Sequence, residues 1–168
     1  MKKTITRYGL YGAVTICALF LLSLFVGKNL SYSIQEVIGY TSMIVSLSFV
    51  FFGIKHFRDQ VNNGSLTFGK ALLIGLAISL ITAIAFGILD YIYVAYINPD
   101  FTEEYYANSL ARMQEALPAA EFELKKVEME AQKELFSSPI MSFALMSMTV
   151  FVIGFIISLI SGLILQRK

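Results

Sequence analysis

Residues 67 to 99 decide the fold. They read Thr67-Phe-Gly-Lys70, then Ala71-Leu-Leu-Ile-Gly-Leu-Ala-Ile-Ser-Leu-Ile-Thr-Ala-Ile-Ala-Phe-Gly-Ile-Leu89, then Asp90, then Tyr91-Ile-Tyr-Val-Ala-Tyr-Ile97 and Asn98-Pro99. The nineteen residues from Ala71 to Leu89 carry no charge. A helix over residues 68–97, at about 1.5 Å per residue, is longer than the roughly 30 Å hydrocarbon core of a bilayer, so its last turns must tilt or project. Pro99 ends it, because the residue before a proline disfavours helical backbone. Gly75, Ser79, Ala83 and Gly87 recur every four residues and so share one face. Asp90 follows three residues after Gly87.

Outward from this stretch the same pattern repeats. Toward the N-terminus, residues 34–54 form a second apolar block, and residues 8–27 form another with no charge in twenty residues. The basic leader Lys2, Lys3 and Arg7 precedes the 8–27 block, which is longer than a signal-peptide core and lacks a small-residue cleavage site. It is read as an uncleaved span. Ser33-Ile-Gln-Glu36 fits a capping box at the start of the second span. Lys55, His56 and Arg58 mark the exit of that span, and Val61-Asn-Asn-Gly64 predicts a turn with Gly64 at positive φ. Toward the C-terminus, residues 140–165 are uncharged and end in Gln166-Arg-Lys168. The class is therefore all-α: a polytopic membrane protein with four transmembrane helices in one 168-residue domain. Composition agrees, with 57% apolar and 15% charged residues, against about one quarter charged in soluble chains.

Residues 100–138 are the one water-facing segment. Nine acids stand against four bases there, a surplus of five negative charges. Two amphipathic helices split at Pro118 are expected, with Tyr106, Leu110, Met113 and Leu117 on one stripe and Leu124, Val127, Ala131 and Leu135 on the other. These stripes would pair with each other, cover the spans or meet a partner. Orientation follows the Lys/Arg bias of short loops. Lys2, Lys3, Arg7, Lys55, Arg58, Lys70, Arg167 and Lys168 all fall on one side of a four-span arrangement. Both termini are therefore expected in the cytoplasm, and the acidic hairpin between helices three and four is extracytoplasmic.

Few residues suggest chemistry. A second stripe of small residues, Gly154, Ser158 and Gly162, lies in the fourth span. In lipid, small residues four apart let helices pack closely, so both stripes are read as packing seams, within the chain or in a homodimer. Asp90 is a candidate functional or interfacial acid. At about 29 Å from Ala71 it falls at the outer boundary. Tyr91, Tyr93 and Tyr96 resemble an interfacial belt there, and Lys28 is a candidate ion partner. His56 and Asp59 share a helix face, but two residues make no metal site and no second His exists. The acidic hairpin lacks a Gly-centred calcium loop. Cys17, preceded by Thr15 and Ile16, does not fit a lipid-attachment site. No nucleophile set, phosphate loop, cofactor fingerprint or basic stripe for nucleic acid is found. No catalytic, cofactor or metal residue is assigned.

Gly53-Ile-Lys-His-Phe-Arg-Asp59, Asn63-Gly-Ser-Leu-Thr-Phe-Gly-Lys70 and Ile92-Tyr-Val-Ala-Tyr-Ile-Asn-Pro-Asp-Phe101 resemble, in order and spacing, an uncharacterised bacterial family of small membrane proteins, domain of unknown function 4199. The resemblance spans nearly the whole chain. It implies four spans with an external insert between the last two, and it supplies no activity or substrate. The expectation is a non-enzymatic inner-membrane assembly, scaffold or regulatory subunit. Its partners would be the bilayer and a second membrane protein or copy. A small transporter or channel subunit using Asp90 is the alternative.

Overall fold

The computed structural model describes residues 1–27, 30–136 and 138–167, the side chains of residues 132 and 134–136 excepted. Sequence readings that fall on Lys28, Ser137, Lys168 and the Leu135 side chain lie outside the described residues. Six helices follow in order: α1 (Lys2–Val26), α2 (Tyr32–His56), α3 (Phe68–Ile92), α4 (Phe101–Ala116), α5 (Ala119–Phe136) and α6 (Pro139–Leu165). Two of them run on into one π-helical turn each, Phe57–Val61 after α2 and Tyr93–Ile97 after α3. Four of the resulting helices, Lys2–Val26, Tyr32–Val61, Phe68–Ile97 and Pro139–Leu165, are long and apolar enough to cross a membrane. The all-α, four-span class and the two shorter helices between spans three and four are as the sequence indicates.

Boundaries differ where the sequence signal was weakest. Helix α1 starts inside the basic leader, because nothing in Lys2-Lys-Thr-Ile-Thr-Arg7 breaks a helix. Helix α2 begins at Tyr32 with Ser31 in the cap position, so Ser33 lies in the first turn and not at the cap where a capping box would need it. The Gln35 amide instead bonds back to the carbonyls of Gly27 and Leu30, at 3.2 and 2.9 Å. The π turns arise because the Asn62 and Asn98 N–H groups reach back five residues, to Phe57 and Tyr93, at 3.0 and 2.8 Å. A π turn widens the ladder by one residue before the chain leaves the helix.

The chain folds as two compact units, one of residues 1–86 with 146–168, the other of residues 87–145. In the first, α1, α2 and most of α3 and α6 enclose a core that includes Ile16, Leu47, Val50, Ile54, Ile74, Ile78 and Val150. The turn between α2 and α3 takes left-handed backbone at Asn63 (φ 51°) and Gly64 (φ 80°). Only glycine adopts that region without cost, so Gly64→Ala is expected to lose about 1 kcal/mol in detergent unfolding, with no change in the pattern of helices. Leu66 beyond it is buried and forms a two-bond bridge to Arg167, N to O at 2.7 Å and O to N at 2.8 Å. An Arg58 guanidinium nitrogen donates to the Leu165 carbonyl at 3.4 Å. There it satisfies a free carbonyl at the negative end of α6.

The second unit holds the end of α3, the α4–α5 hairpin and the start of α6. Residues 98–100 turn the chain; Tyr93 meets Phe101 edge to face and Phe101 stacks on Tyr105, with ring centroids 5.4 and 6.3 Å apart. Helix α4 presents its apolar stripe inward: Tyr106, Leu110, Met113 and Leu117 are half-buried and Ser109 is buried. Helix α5 packs against α4 through a face other than its Leu124, Val127 and Ala131 stripe. Its half-buried positions are Phe122, Lys126, Met129 and Lys133, and Lys133 reaches Glu103 of α4 at 3.4 Å. The stripe Leu124, Val127 and Ala131 is left exposed, so the two stripes do not pair with each other.

Candidate functional site

The seam between α3 and α6 is built from the small residues that the spacing of four singled out. A Cβ placed on Gly75 would lie 2.7 Å from Ser158 Cβ, and one placed on Gly154 would lie 2.5 Å from Ser79 Cβ and closer still to its hydroxyl. A Cβ on Gly162 would touch Ala71 at 3.6 Å and the Phe68 ring at 3.1 Å. Each step of four up α3 is matched by a step of four down α6, so the helices are antiparallel and every glycine faces a Ser or Ala. Ala83 and Gly87 are buried further along α3.

The hydroxyls of this seam, like those of Thr82 on α3 and Ser46 on α2, turn back on their own helices. Ser79 donates to the Gly75 carbonyl at 2.9 Å, Ser158 to Gly154 at 2.6 Å, Thr82 to Ile78 at 3.2 Å and Ser46 to Ser42 at 2.7 Å. Each therefore sits four residues beyond its own acceptor and needs no water or partner helix. A narrow pocket lined by Ile16, Phe20, Ser23, Gly39, Ser42, Met43 and Phe86 has a volume near 20 Å³, room for about one water molecule.

Close approach also occurs at glycines of α1 and α2 outside these two stripes. A Cβ on Gly9 would lie 2.7 Å from the Ile81 side chain. One on Gly12 would lie 2.5 Å from Thr82 Oγ1, and one on Gly53 would lie 2.5 Å from Ile78. Helices α1 and α2 thus rest their own glycines on α3. The signal was present in α1 as Gly9, Ala13 and Cys17, again four apart, but Cys17 broke the run of Gly, Ala and Ser that the eye follows.

In the second unit the end of α3 and the first turns of α6 meet at Asp90. The acid is 4% exposed. The Ser142 hydroxyl donates to its Oδ2 at 2.5 Å. The sequence placed Asp90 at an interfacial boundary and offered Lys28 as partner; the described partner is Ser142, and Lys28 is not among the described residues. Of the nearby tyrosines, Tyr96 is exposed, while Tyr91 and Tyr93 are half-buried. His56 and Asp59 stay apart in role: Asp59 pairs with Arg58 at 2.6 Å, and the His56 ring lies 5.5 Å from that of Tyr8. Among the described residues, no three of His, Cys, Asp and Glu come together as metal ligands.

A family of proteins of unknown function, DUF4199, matches residues 7–167 of the chain. The protein belongs to the DUF4199 family. The match takes in the α4–α5 hairpin and all four candidate spans except the first five residues of α1, so nearly the whole architecture of this DUF4199 protein falls inside the family's boundaries. The family carries no assigned activity, and none passes to Asp90, Ser142 or the seam. No curated protein and no solved structure matches the chain.

Proposed function

We propose that this multi-span membrane protein acts by contact, as a non-enzymatic assembly, scaffold or regulatory subunit. In this reading it lies in the bacterial inner membrane with both termini in the cytoplasm, and the α4–α5 hairpin stands outside. The observation that carries it is the exposed apolar face of α5, with Leu124 71% and Val127 65% exposed on the most highly charged segment of the chain. An apolar face held in an acidic water-facing helix contributes nothing to its own hairpin and is available to a partner. The seams support the same reading. Small residues and self-satisfied hydroxyls make a tightly packed bundle, which suits a structural role.

Photo-crosslinking from single positions along residues 101–133 in intact cells tests the proposal. Cross-links to one distinct protein from the exposed face of α5, and none from its half-buried face, are the expected result. An absence of cross-links from every position would remove the contact reading.

A second reading, a small transporter or channel subunit, rests on Asp90. A buried acid at the end of a span is costly and is retained where it serves folding or ion movement. Reconstituted liposomes distinguish the two: a proton or cation flux abolished by Asp90→Asn in a folded protein would favour transport.

A further inference from the structure

Four glutamates define what the exposed face of α5 can bind. With about 100° between successive residues of a helix, Ala120, Leu124, Val127 and Ala131 fall on one line, while Glu121 and Glu128 lie about 70–90° to one side and Glu123 and Glu130 as far to the other. All eight residues are exposed. The opposite side, Phe122, Lys126, Met129 and Lys133, is the half-buried one that rests on α4. The outward face is therefore an apolar ridge three turns long with an acid at every shoulder position. In helix pairing the ridge supplies affinity, and the shoulder charges choose the partner.

We propose that this face docks a cationic amphipathic helix, one with an apolar stripe flanked on both sides by Lys or Arg. The proposal rests on the contact reading above and names the chemistry of the partner. Charge complementarity selects this occupant over the others. A second copy of the chain would set Glu against Glu on both shoulders, whichever way the two α5 helices ran. An anionic lipid surface would meet the same four carboxylates. Glu128 also accepts a hydrogen bond from Lys125 at 2.9 Å, but both side chains are well exposed. Such a pair exchanges at little cost.

The test uses the full chain in discs of zwitterionic lipid and three fluorescent helical peptides of equal length. One carries a leucine stripe with Lys shoulders, one the same stripe with Glu shoulders, and one Lys shoulders with serine in the stripe. The first is expected to bind about tenfold or more tighter than either control, and to weaken between about 50 and 500 mM salt. Reversing all four shoulders (E121K, E123K, E128K and E130K) should invert the order of the two leucine peptides. Leu124→Ser with Val127→Ser should erase the advantage of the leucine stripe. All these positions are exposed, and an unchanged far-UV spectrum verifies that the hairpin persists.

Equal binding of the two leucine peptides, or an order that survives the charge reversal, would overturn the proposal. So would cross-linking of two copies through position 127 in place of peptide binding, or burial of a probe at position 124 on adding anionic lipid alone. A cellular partner cross-linked at position 124 or 127 that the Lys peptide fails to displace would refute the cationic-helix proposal and leave the contact reading standing. No cross-link from any position of residues 101–133 would end both.

Discussion

Gly75→Leu and Gly154→Leu are each expected to cost about 3 kcal/mol or more, or to prevent the bundle from assembling. The reason is steric and local. Where a side chain would begin on Gly75, Ser158 Cβ stands 2.7 Å away, and where one would begin on Gly154, Ser79 Cβ stands 2.5 Å away. Neither obstacle is the free end of a long side chain. A Cβ is fixed to its helix, so the whole of α3 or α6 must withdraw, and withdrawal opens the contacts with Leu47 and Ile54 behind it. Even alanine is expected to cost about 1–3 kcal/mol at either position.

The same substitution elsewhere serves as the control. Nothing lies within 4 Å of a Cβ built on Gly39 or Gly69. Alanine at these sites should be neutral or stabilise the helix by about 0.5–1 kcal/mol, since glycine pays the larger conformational entropy. Thermal unfolding of the four variants in detergent checks the contrast. Equal losses at Gly75 and Gly39 would mean that the seam is not where the bundle closes.

Ser142→Ala is expected to destabilise the protein by about 1–2 kcal/mol, by removing the hydroxyl that bonds a buried carboxylate. The Asp90 side chain then keeps its desolvation and loses a donor. Asp90→Asn should be far milder, because the amide has the same shape and no charge to bury. The two changes should not add: in an Asp90→Asn background, Ser142→Ala should cost clearly less than in the parent. A double-mutant cycle measured by unfolding in detergent reads this coupling directly. Additive losses would show that Ser142 does not act on Asp90.

The helical stretch Phe68–Ile97 was legible because chemistry marks both its ends. Lys70 and the turn before it open the helix, and Asn98-Pro99 closes it. The packing seam was legible for a related reason: Gly75 and Ser79 on one helix and Gly154 and Ser158 on another repeat at the spacing that puts them in a row. Their pairing, glycine to serine in antiparallel order, was not, since a period fixes a face and not a register.

Long-range hydrogen bonds left no trace in the sequence. Nothing in Leu66 or Arg167 announces a bridge between them, and nothing in Ser142 marks it as the partner of Asp90 beyond its place on the four-residue row with Gly154 and Ser158. The π turns were equally hidden, because they depend on one backbone N–H choosing its fifth neighbour over its fourth. In α5 the choice among faces was left open by degeneracy. Phe122 and Met129 form a second apolar row opposite Leu124 and Val127, and the sequence does not say which row α4 will cover. The covered row has lysines at its edges, whose long stems lie along apolar surface while their charge stays wet. The row left open has only glutamates.

The most direct measurement concerns sidedness. Single cysteines placed at Ser65 and at Ala107, both exposed, in a Cys17→Ser background, are challenged in intact cells with a maleimide that cannot cross the inner membrane. Four spans with the α4–α5 hairpin outside require labelling at position 107 and protection at position 65 until the cells are opened. Labelling at position 65 in intact cells, or protection at position 107 that only lysis relieves, would contradict the account.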